Sequence, residues 1–496
     1  MKKKLIVKNA VYSLITKLII LILGVFIPRL LIISFGSEIN GLLSTVAQIF
    51  TYLALLETGI GNSTINALYR PLDESDYKTS NEVLVEAEKY YRRVAIIYAV
   101  LIVIFSGVYP FFIKASISKL LIFGIIFFQG MTNFVGYYYT AVYVQLLTAS
   151  GSNYINQNIL FFFYIVTSII KIILILLGYN VLIVQISFFI ISLIKIPVYR
   201  YFCRIRYPWL NFNVSSSKKY LKERGAFVIH EISTTIFNNT DVFIISTFCN
   251  LSLASVYSVY NLIFSSVGGI LGTVVSGLGF VLGQSQYKDK KKLIIIYDIY
   301  SSVCVCVSFI FFTTSYLLIF PFIRLYTAGI QDTDYIVLGL PLLFTLINLL
   351  SGVRVAASML ITVSGHASKT RIRSIVETLM NLIVSLILVN IIGIKGVLWG
   401  TIIALLYRSN DMIIYTNKKI LNRNPIYEYR NIVFNFTIFI IVVYLSKIYY
   451  IKIDSYIDFM VKSIIIFVVI SIIFILFNFI NNFGLLKKFF KENKKI

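Results

Sequence analysis

The chain has 496 residues, of which 58% are hydrophobic and only 13% are charged, and its mean hydropathy is +0.86. This composition excludes a soluble protein of this size and predicts a multi-pass membrane protein. The formal net charge of +24 does not indicate nucleic-acid binding, because the basic residues fall in short clusters between apolar runs. Cys203, Cys249, Cys304 and Cys306 are scattered, so we expect no disulfide, no metal site and no cofactor.

Apolar runs of about 20 residues, each able to cross about 30 Å of hydrocarbon, predict an all-α protein with about fourteen transmembrane helices. These predicted spans lie near residues 10–33, 41–69, 91–113, 119–147, 154–177, 181–201, 225–248, 253–283, 293–320, 335–363, 375–394, 396–416, 432–451 and 458–480. The second span contains Gly59 and Gly61, so we expect it to bend there.

The distribution of basic residues predicts the topology, because cytoplasmic loops are rich in Lys and Arg. With the N-terminus inside, the inner segments hold 32 Lys and Arg residues and the outer loops hold seven. Both termini are therefore predicted to be cytoplasmic, in a bacterial plasma membrane.

Two short matches at nearly equal offsets predict an internal repeat. Residues 146–151 (LLTASG) match 360–365 (LITVSG) at four of six positions, and the segment ending Ile32-Ile33-Ser34 matches the one ending Ile244-Ile245-Ser246. Six spans per half leave both halves in the same orientation, as in transporters built from parallel repeats. The predicted domains are an N-lobe (1–205), a cytoplasmic loop (206–224), a C-lobe (225–420), and a final hairpin with a basic tail (421–496).

Opposite charges stand at related positions of the two halves, Arg29 in span 1 and Asp241 in span 7. A charge in hydrocarbon costs roughly 2.5–3.5 kcal/mol on insertion scales, which indicates a function and a partner. Both residues fall in the outer part of their spans. We therefore expect them to pair when the outer side of the protein is closed and to separate when cargo is released.

Other polar residues inside the spans follow helical spacing. In span 7, Glu231, Thr234, Asn238 and Asp241 share one face, which we expect to line a water-filled cavity. In span 2 a similar stripe contains Gln48, Tyr52 and Asn62, whereas Glu57 lies on the opposite face unless the glycine bend changes the register. Both stripes are therefore candidates for contact with a polar cargo.

The remaining charges inside spans are open to structural interpretations. Arg408 and Asp411 are three residues apart and can pair on their own helix. Lys171 and Lys195 lie nearer span ends, where they can extend to the membrane surface. For Lys17, a functional role and an ion pair between helices remain equally open, as they do for Arg29 and Arg354.

Several short motifs follow one another in a recognisable order along residues 5–420: Pro28-Arg29-Leu30-Leu31, Ile39-Asn40-Gly41-Leu42-Leu43-Ser44, Glu57-Thr58-Gly59-Ile60-Gly61, Asn239-Thr240-Asp241, Val256-Tyr257-Ser258-Val259-Tyr260, Ser364-Gly365 and Gly393-Ile394-Lys395-Gly396-Val397. In this order they resemble the polysaccharide transporter family, which includes the O-antigen and capsule repeat-unit flippases of the multidrug/oligosaccharidyl-lipid/polysaccharide exporter superfamily. The chain departs from the family pattern at Val256 and at Cys249-Asn250.

The resemblance implies two six-helix lobes in a V shape, alternating access to a central cavity, and an oligosaccharide on undecaprenyl diphosphate as cargo. A diphosphate needs cations in water-filled space, and the candidates are Lys17, Arg29, Arg354 and Arg408. Candidates for glycan contacts are Gln48, Tyr52, Asn62, Gln129, Asn133, Tyr137, Tyr138, Tyr139, Asn238 and Asn239. Candidates for a gate or for coupling to H⁺ or Na⁺ are Arg29, Asp241, Glu231 and Glu57. Such coupling is possible but not required, because the membrane potential already favours outward movement of two negative charges.

The expected partners are the lipid-linked oligosaccharide, membrane lipid, and the polysaccharide polymerase with its chain-length machinery. Two other functions stay open. A multidrug cation antiporter shares the fold of the superfamily but would favour an acidic cavity. We expect that the protein is not an enzyme. The alternative, a membrane glycosyltransferase or polymerase, needs catalytic carboxylates outside the membrane. Asp332 and Asp334 are the only close acidic pair there, and a solvated turn accounts for them.

Overall fold

The computed structural model describes residues 2–57, 59–214, 220, 225–285, 290–446, 453–485 and 487, with side chains left out for 2–15, 225–231, 274, 276–281, 284 and 285. The described chain is helical. Its α-helices are α1 (Lys2–Phe35), α2 (Ser37–Leu53), α3 (Ile60–Asp73), α4 (Tyr77–Val108), α5 (Lys119–Val135), α6 (Ala141–Ala149), α7 (Asn153–Leu176), α8 (Val181–Arg206), α9 (Gly225–Phe248), α10 (Leu251–Ser285), α11 (Lys290–Tyr326), α12 (Leu340–Val353), α13 (Val355–Val363), α14 (Arg371–Ile392), α15 (Ile394–Tyr415), α16 (Ile426–Ser446) and α17 (Tyr456–Asn481).

The predicted all-α membrane fold is confirmed. In the described part of the chain, 13 helical segments are long and apolar enough to cross a membrane. The remaining predicted span, 225–248, coincides with α9. Most predicted bounds fall within a few residues of the observed helix ends. The largest difference is at α4, which begins at Tyr77 rather than near residue 91, because a helix continues into water wherever its backbone stays hydrogen-bonded. The helix α1 likewise begins at Lys2 rather than near residue 10.

Side-chain caps mark where several of these helices begin. Asp76, Ser118, Asn180 and Ser455 each accept a hydrogen bond from a backbone N–H in the first turn of the helix that follows, at 3.0, 3.4, 3.0 and 3.1 Å. Short polar side chains at this position satisfy donors that have no partner inside the helix. The polar breaks between the apolar runs therefore fix the helix starts.

The two matched segments, 146–151 and 360–365, end in the same backbone turn, and the predicted repeat itself stays a prediction. Gly151 and Gly365 have φ angles of +72° and +68° and follow the helices that end at Ala149 and Val363. In the first copy Ser152 N donates to Leu147 O at 2.8 Å, and in the second copy the residue after the glycine makes the matching bond at 3.0 Å. Both copies thus end their helix in the same left-handed glycine turn, which a side chain would strain.

The chain forms two compact units, Met1–Ser255 and Val256–Ile496. In the first unit, α5 packs on α4 and α8, and α9 packs on α2. In the second, α14 packs on α15, and α11 packs on α12, α16 and α17. The predicted division into lobes at residues 205 and 225, with its V shape, stays a prediction.

Three spans are interrupted near polar residues. Span 2 breaks after the 3₁₀ turn Ala54–Glu57, where Gly59 has a φ of +88°, so the predicted bend is confirmed. Span 4 contains one π-helical turn, Gly136–Thr140, and span 10 breaks at Arg354, between α12 and α13. Such interruptions are common where a membrane helix lines a functional site.

Candidate functional site

The first unit contains a cavity of about 660 Å³ between α1, α5, α7 and α8. Two lysines line it, Lys17 on α1 and Lys195 on α8. Lys17 is exposed and Lys195 is partly buried. The polar remainder of the lining includes Gln157, Asn158 and Tyr164 from α7. We call this space the first cavity.

The chemistry of the first cavity suits an anion next to a polar or sugar-like group. Both charges in its lining are positive, and among the described residues no carboxylate lines it. Amide and phenol groups supply donors and acceptors, and Lys195 Nζ lies 5.6 Å from the ring centroid of Phe163. A lysine here acts as a point charge that can follow a phosphate without fixing its orientation.

The second unit contains a cavity of about 450 Å³ between α10, α11 and the broken span α12–α13. We call it the second cavity. Arg354 is the one charged residue in its described lining, which also includes Asn348, Ser351, Ser358 and Tyr300. The break between α12 and α13 places this arginine at the wall, because the chain leaves regular helix geometry there.

Arg354 belongs to an ion network that joins α14 and α15. Its Nη1 donates to Glu377 Oε1, and Arg408 Nε lies 3.4 Å from Glu377 Oε2. Arg408 Nη1 donates to Asp411 Oδ2 at 2.7 Å, as the spacing on their helix predicts. Arg373 Nη1 donates to Asp411 Oδ1 at 2.8 Å. With all five groups ionised, the network carries one excess positive charge.

The two predicted arginines of this network occupy different environments. Arg408 is 1% exposed, and its Nη2 also donates to Ser374 Oγ at 3.1 Å. The side chain of Arg354 is 21% exposed and reaches the second cavity. A buried guanidinium is stable only while its partners remain, so Arg408 holds α14 against α15. Arg354 is the member that a cargo in the cavity can contact.

Polar side chains of α2 contact α9 and the start of α10. Asn40 Nδ2 donates to Ser255 Oγ at 2.7 Å, and the hydroxyls of Tyr52 and Thr240 are 2.7 Å apart. Gly41 makes this approach possible, because a Cβ there would lie 1.8 Å from Leu251 O. The predicted glycan residue Tyr52 is therefore part of a helix contact.

The other predicted site residues whose side chains the structure describes lie outside the described linings of the two cavities. Arg29 is partly buried in α1, and Asp241 is 7% exposed beside Thr240 on α9. Their predicted pairing stays a prediction. Glu57 lies in the break of span 2, within electrostatic range of the Tyr91 and Tyr137 phenols.

The remaining predictions are placed as follows. Gln48 is partly buried, whereas Asn62 and Asn238 are exposed. The side chain of Glu231 lies outside the described residues. Asp332 and Asp334 are exposed in a non-helical segment, as expected for a solvated turn.

Sequence reasoning missed four residues that the structure places at these sites. Lys195 was interpreted as extending to the membrane surface, but it lines the first cavity with Gln157. Arg373 lies between the predicted spans 335–363 and 375–394 and contributed only to the total of inner basic residues. Glu377, a carboxylate inside the predicted span 375–394, received no role although it pairs with Arg354. An acid within an apolar run is a signal for a partner, and applied to Glu377 it would have indicated the network.

No known protein-family model matches the chain, and no curated protein sequence matches it. Several solved structures do. An inward-facing multidrug resistance MATE family transporter of the MOP superfamily superposes with a TM-score of 0.65 at 15% identity, covering 82% of this chain and 99% of its own. The lipid II flippase MurJ in an inward closed conformation gives a TM-score of 0.64 at 15% identity, covering 96% and 100%. The MATE multidrug transporter DinF-BH gives 0.55 at 15% identity, covering 85% and 97%. The chain therefore has the same fold as these solved transporter structures.

Proposed function

We propose that the protein is a flippase that moves an undecaprenyl-diphosphate-linked oligosaccharide repeat unit from the cytoplasmic to the outer leaflet by alternating access. The product would serve export of a surface polysaccharide of the O-antigen, capsule or teichuronic type. The observation that carries the proposal is the charge of the two cavities. The first cavity is lined by Lys17 and Lys195 and the second by Arg354, and no carboxylate is in the described lining of either.

A diphosphate fits this arrangement because it brings negative charge that the cavities do not supply. Arginine offers forked hydrogen bonds to phosphate oxygens, and lysine offers a mobile point charge. The amide and hydroxyl groups beside the cations, such as Asn158, Tyr164 and Asn348, can hydrogen-bond a glycan. The lipid tail can stay in the bilayer throughout.

The membrane potential supplies a driving force for such a cargo. Moving two negative charges outward through an inside-negative potential of about 100 mV is favourable by about 4–5 kcal/mol. Coupling to H⁺ or Na⁺ is therefore not required. Glu57 and Asp241 are the described carboxylates of the first unit that such coupling would use.

The comparison with MurJ also supports a flippase function. That protein is a lipid II flippase, and its structure covers 96% of this chain, against 82% for the inward-facing MATE structure. We infer that the cargo here is likewise a lipid carrying a polar head. A polymerase and its chain-length machinery would then act on the product at the outer face.

A multidrug cation antiporter is the second candidate, favoured by the likeness to the MATE structures. Depletion of the protein separates the two. The flippase proposal expects one lipid-linked glycan to accumulate on the cytoplasmic face. An antiporter would leave lipid-linked glycans unchanged and would make the cells more sensitive to cationic dyes, and that pair of results would overturn the proposal.

Variants of the first cavity sharpen the test. Lys17→Gln with Lys195→Gln, supplied to depleted cells, should fail to clear the accumulated glycan while the protein stays in the membrane. The matched control is Lys119→Gln, an exposed lysine at the start of α5 whose Nζ lies 4.2 Å from the ring centroid of Phe111. The control should clear the glycan as the unmodified protein does.

A further inference from the structure

The final helical hairpin helps to form a third cavity, of about 670 Å³, in the second unit. Its lining comes from the beginning of α11, the link between α15 and α16, and the end of α17. The polar lining residues that matter here are Lys291, Arg423, Arg430, Asn481 and Asn482. We call it the hairpin cavity.

Chain topology places every wall of the hairpin cavity at one face of the membrane. Four crossings separate Lys291 from Arg423, and the two crossings of α16 and α17 separate Arg423 from Asn481. An even number of crossings returns the chain to the same side. The charge distribution predicts that this side is the cytoplasmic one. The cavity therefore lies where span ends meet the polar headgroups of the inner leaflet.

Two positive charges that line the hairpin cavity are not balanced by any acid among the described residues. Arg423 is neutralised by Asp298, with Nη1 to Oδ2 at 2.8 Å and a second bond from Nη2 to Oδ1. Lys291 and Arg430 are exposed, and neither has an ion pair within the part of the chain that the structure describes. The cavity thus presents a net charge of about +2 toward the membrane surface, which attracts a phosphate group.

An amide in the wall also lacks an acceptor. Asn481 Nδ2 is buried, and no described residue accepts a hydrogen bond from it. Its neighbour Asn482 is satisfied, because its Oδ1 accepts from Tyr427 OH at 2.7 Å. A buried donor without an acceptor is unfavourable, and Asn481 as a whole is only partly buried, so rotation of its amide toward a ligand oxygen in the cavity would stabilise this wall.

We propose that the hairpin cavity binds the phosphate headgroup of an anionic phospholipid from the inner leaflet. Lys291 and Arg430 contact the phosphate, and Asn481 donates to a headgroup oxygen. Ile294, Ile295 and Leu485 line the same cavity and face the glycerol and upper acyl region. The five lysines between residues 487 and 495 follow directly in the sequence and add to the attraction for an anionic surface. This site is separate from the first and second cavities.

The test measures thermal unfolding of the full-length purified protein in detergent with added dioleoyl phosphatidylglycerol or dioleoyl phosphatidylcholine. Phosphatidylglycerol should raise the melting temperature by several degrees more than phosphatidylcholine does. Lys291→Gln with Arg430→Gln should lose at least half of that difference. Both side chains are exposed, so the variant is expected to fold.

The matched control neutralises two exposed cations of the first unit on the same predicted face, Lys89→Gln with Arg204→Gln, and should keep the full lipid effect. An equal loss in the control, or an unchanged lipid effect in the Lys291/Arg430 variant, would overturn the proposal. A third arm adds sn-glycerol 3-phosphate at millimolar concentration. No shift supports a membrane lipid, whereas a shift equal to that of phosphatidylglycerol would show a soluble phosphate ligand and overturn it.

Discussion

Arg354 on the broken span α12–α13 donates a hydrogen bond to Glu377 on α14, and this carboxylate also lies 3.4 Å from Arg408 Nε. The carboxylate of Glu377 thus balances both Arg354, which reaches the second cavity, and Arg408, which is buried. The pairing explains how the site keeps a cation at its wall without a large desolvation cost. It also predicts different consequences for the two arginines.

Arg408→Gln should lower stability, whereas Arg354→Gln should lower transport. Arg408 is 1% exposed, and its loss removes the buried guanidinium that bridges Glu377 and Asp411, at a cost of about 3–5 kcal/mol. We expect little folded Arg408→Gln protein in the membrane. Arg354→Gln should reach the membrane at a normal level and fail to clear the lipid-linked glycan. Equal levels and equal transport for the two variants would contradict this division of roles.

Glu377→Gln should destabilise the second unit, because Arg354 and Arg408 would then face each other without the carboxylate between them. We expect a loss of about 3–5 kcal/mol, measured as a lower melting temperature in detergent. Glu74→Gln is the control, because Glu74 forms an exposed pair with Arg70 at 2.8 Å that water screens and that should contribute little to stability. A control that melts at as low a temperature as Glu377→Gln would show that the ion network does not stabilise the second unit.

Much of the fold was predictable because a bilayer imposes simple rules on a sequence. Apolar runs had to be helices about as long as the membrane is thick, which located α7, α9 and α17 to within about two residues. The turns at Gly151 and Gly365 were predictable because the two matched segments carry a glycine at the same place. Local chemistry that needs one residue type survives in a sequence even when the surrounding side chains differ.

The candidate sites were only partly predictable, because contacts between distant spans depend on packing that has no local signature. The spacing of Arg408 and Asp411 was sufficient to predict their pair on α15. The bond from Arg354 to Glu377 joins two spans and depends on how α13 approaches α14. Lys195 looks like any lysine near a span end until α1 and α7 are placed beside it.

Gly41→Ala should separate α2 from the first turn of α10. The added Cβ would lie 1.8 Å from Leu251 O, so the helices must move apart and the bond from Asn40 to Ser255 must break. We expect a loss of about 1–3 kcal/mol in thermal unfolding. Gly24→Ala is the control, since a Cβ there meets nothing within 4 Å. A Gly41→Ala protein as stable as the control would show that this approach does not hold the first unit together.

Arg29 and Asp241 test the predicted outer gate. Asp241 is 7% exposed, so each single neutralisation, Arg29→Gln or Asp241→Asn, should impair transport and cost about 3–5 kcal/mol if the two charges balance each other. The exchange Arg29→Asp with Asp241→Arg should restore part of the transport. If the exchange is as inactive as the worse single variant, the two charges do not act as a pair.

The most direct measurement is transport by the purified protein in proteoliposomes with an inside-negative potential. The labelled cargo is a polyprenyl-diphosphate-linked oligosaccharide, and its arrival in the outer leaflet is followed with a glycan-specific enzyme added outside. We predict protein-dependent transfer that increases with the potential and is nearly abolished by Lys17→Gln with Lys195→Gln, but not by Lys119→Gln. Absence of glycan-lipid transfer, together with transport of a cationic dye by the same vesicles, would contradict the account.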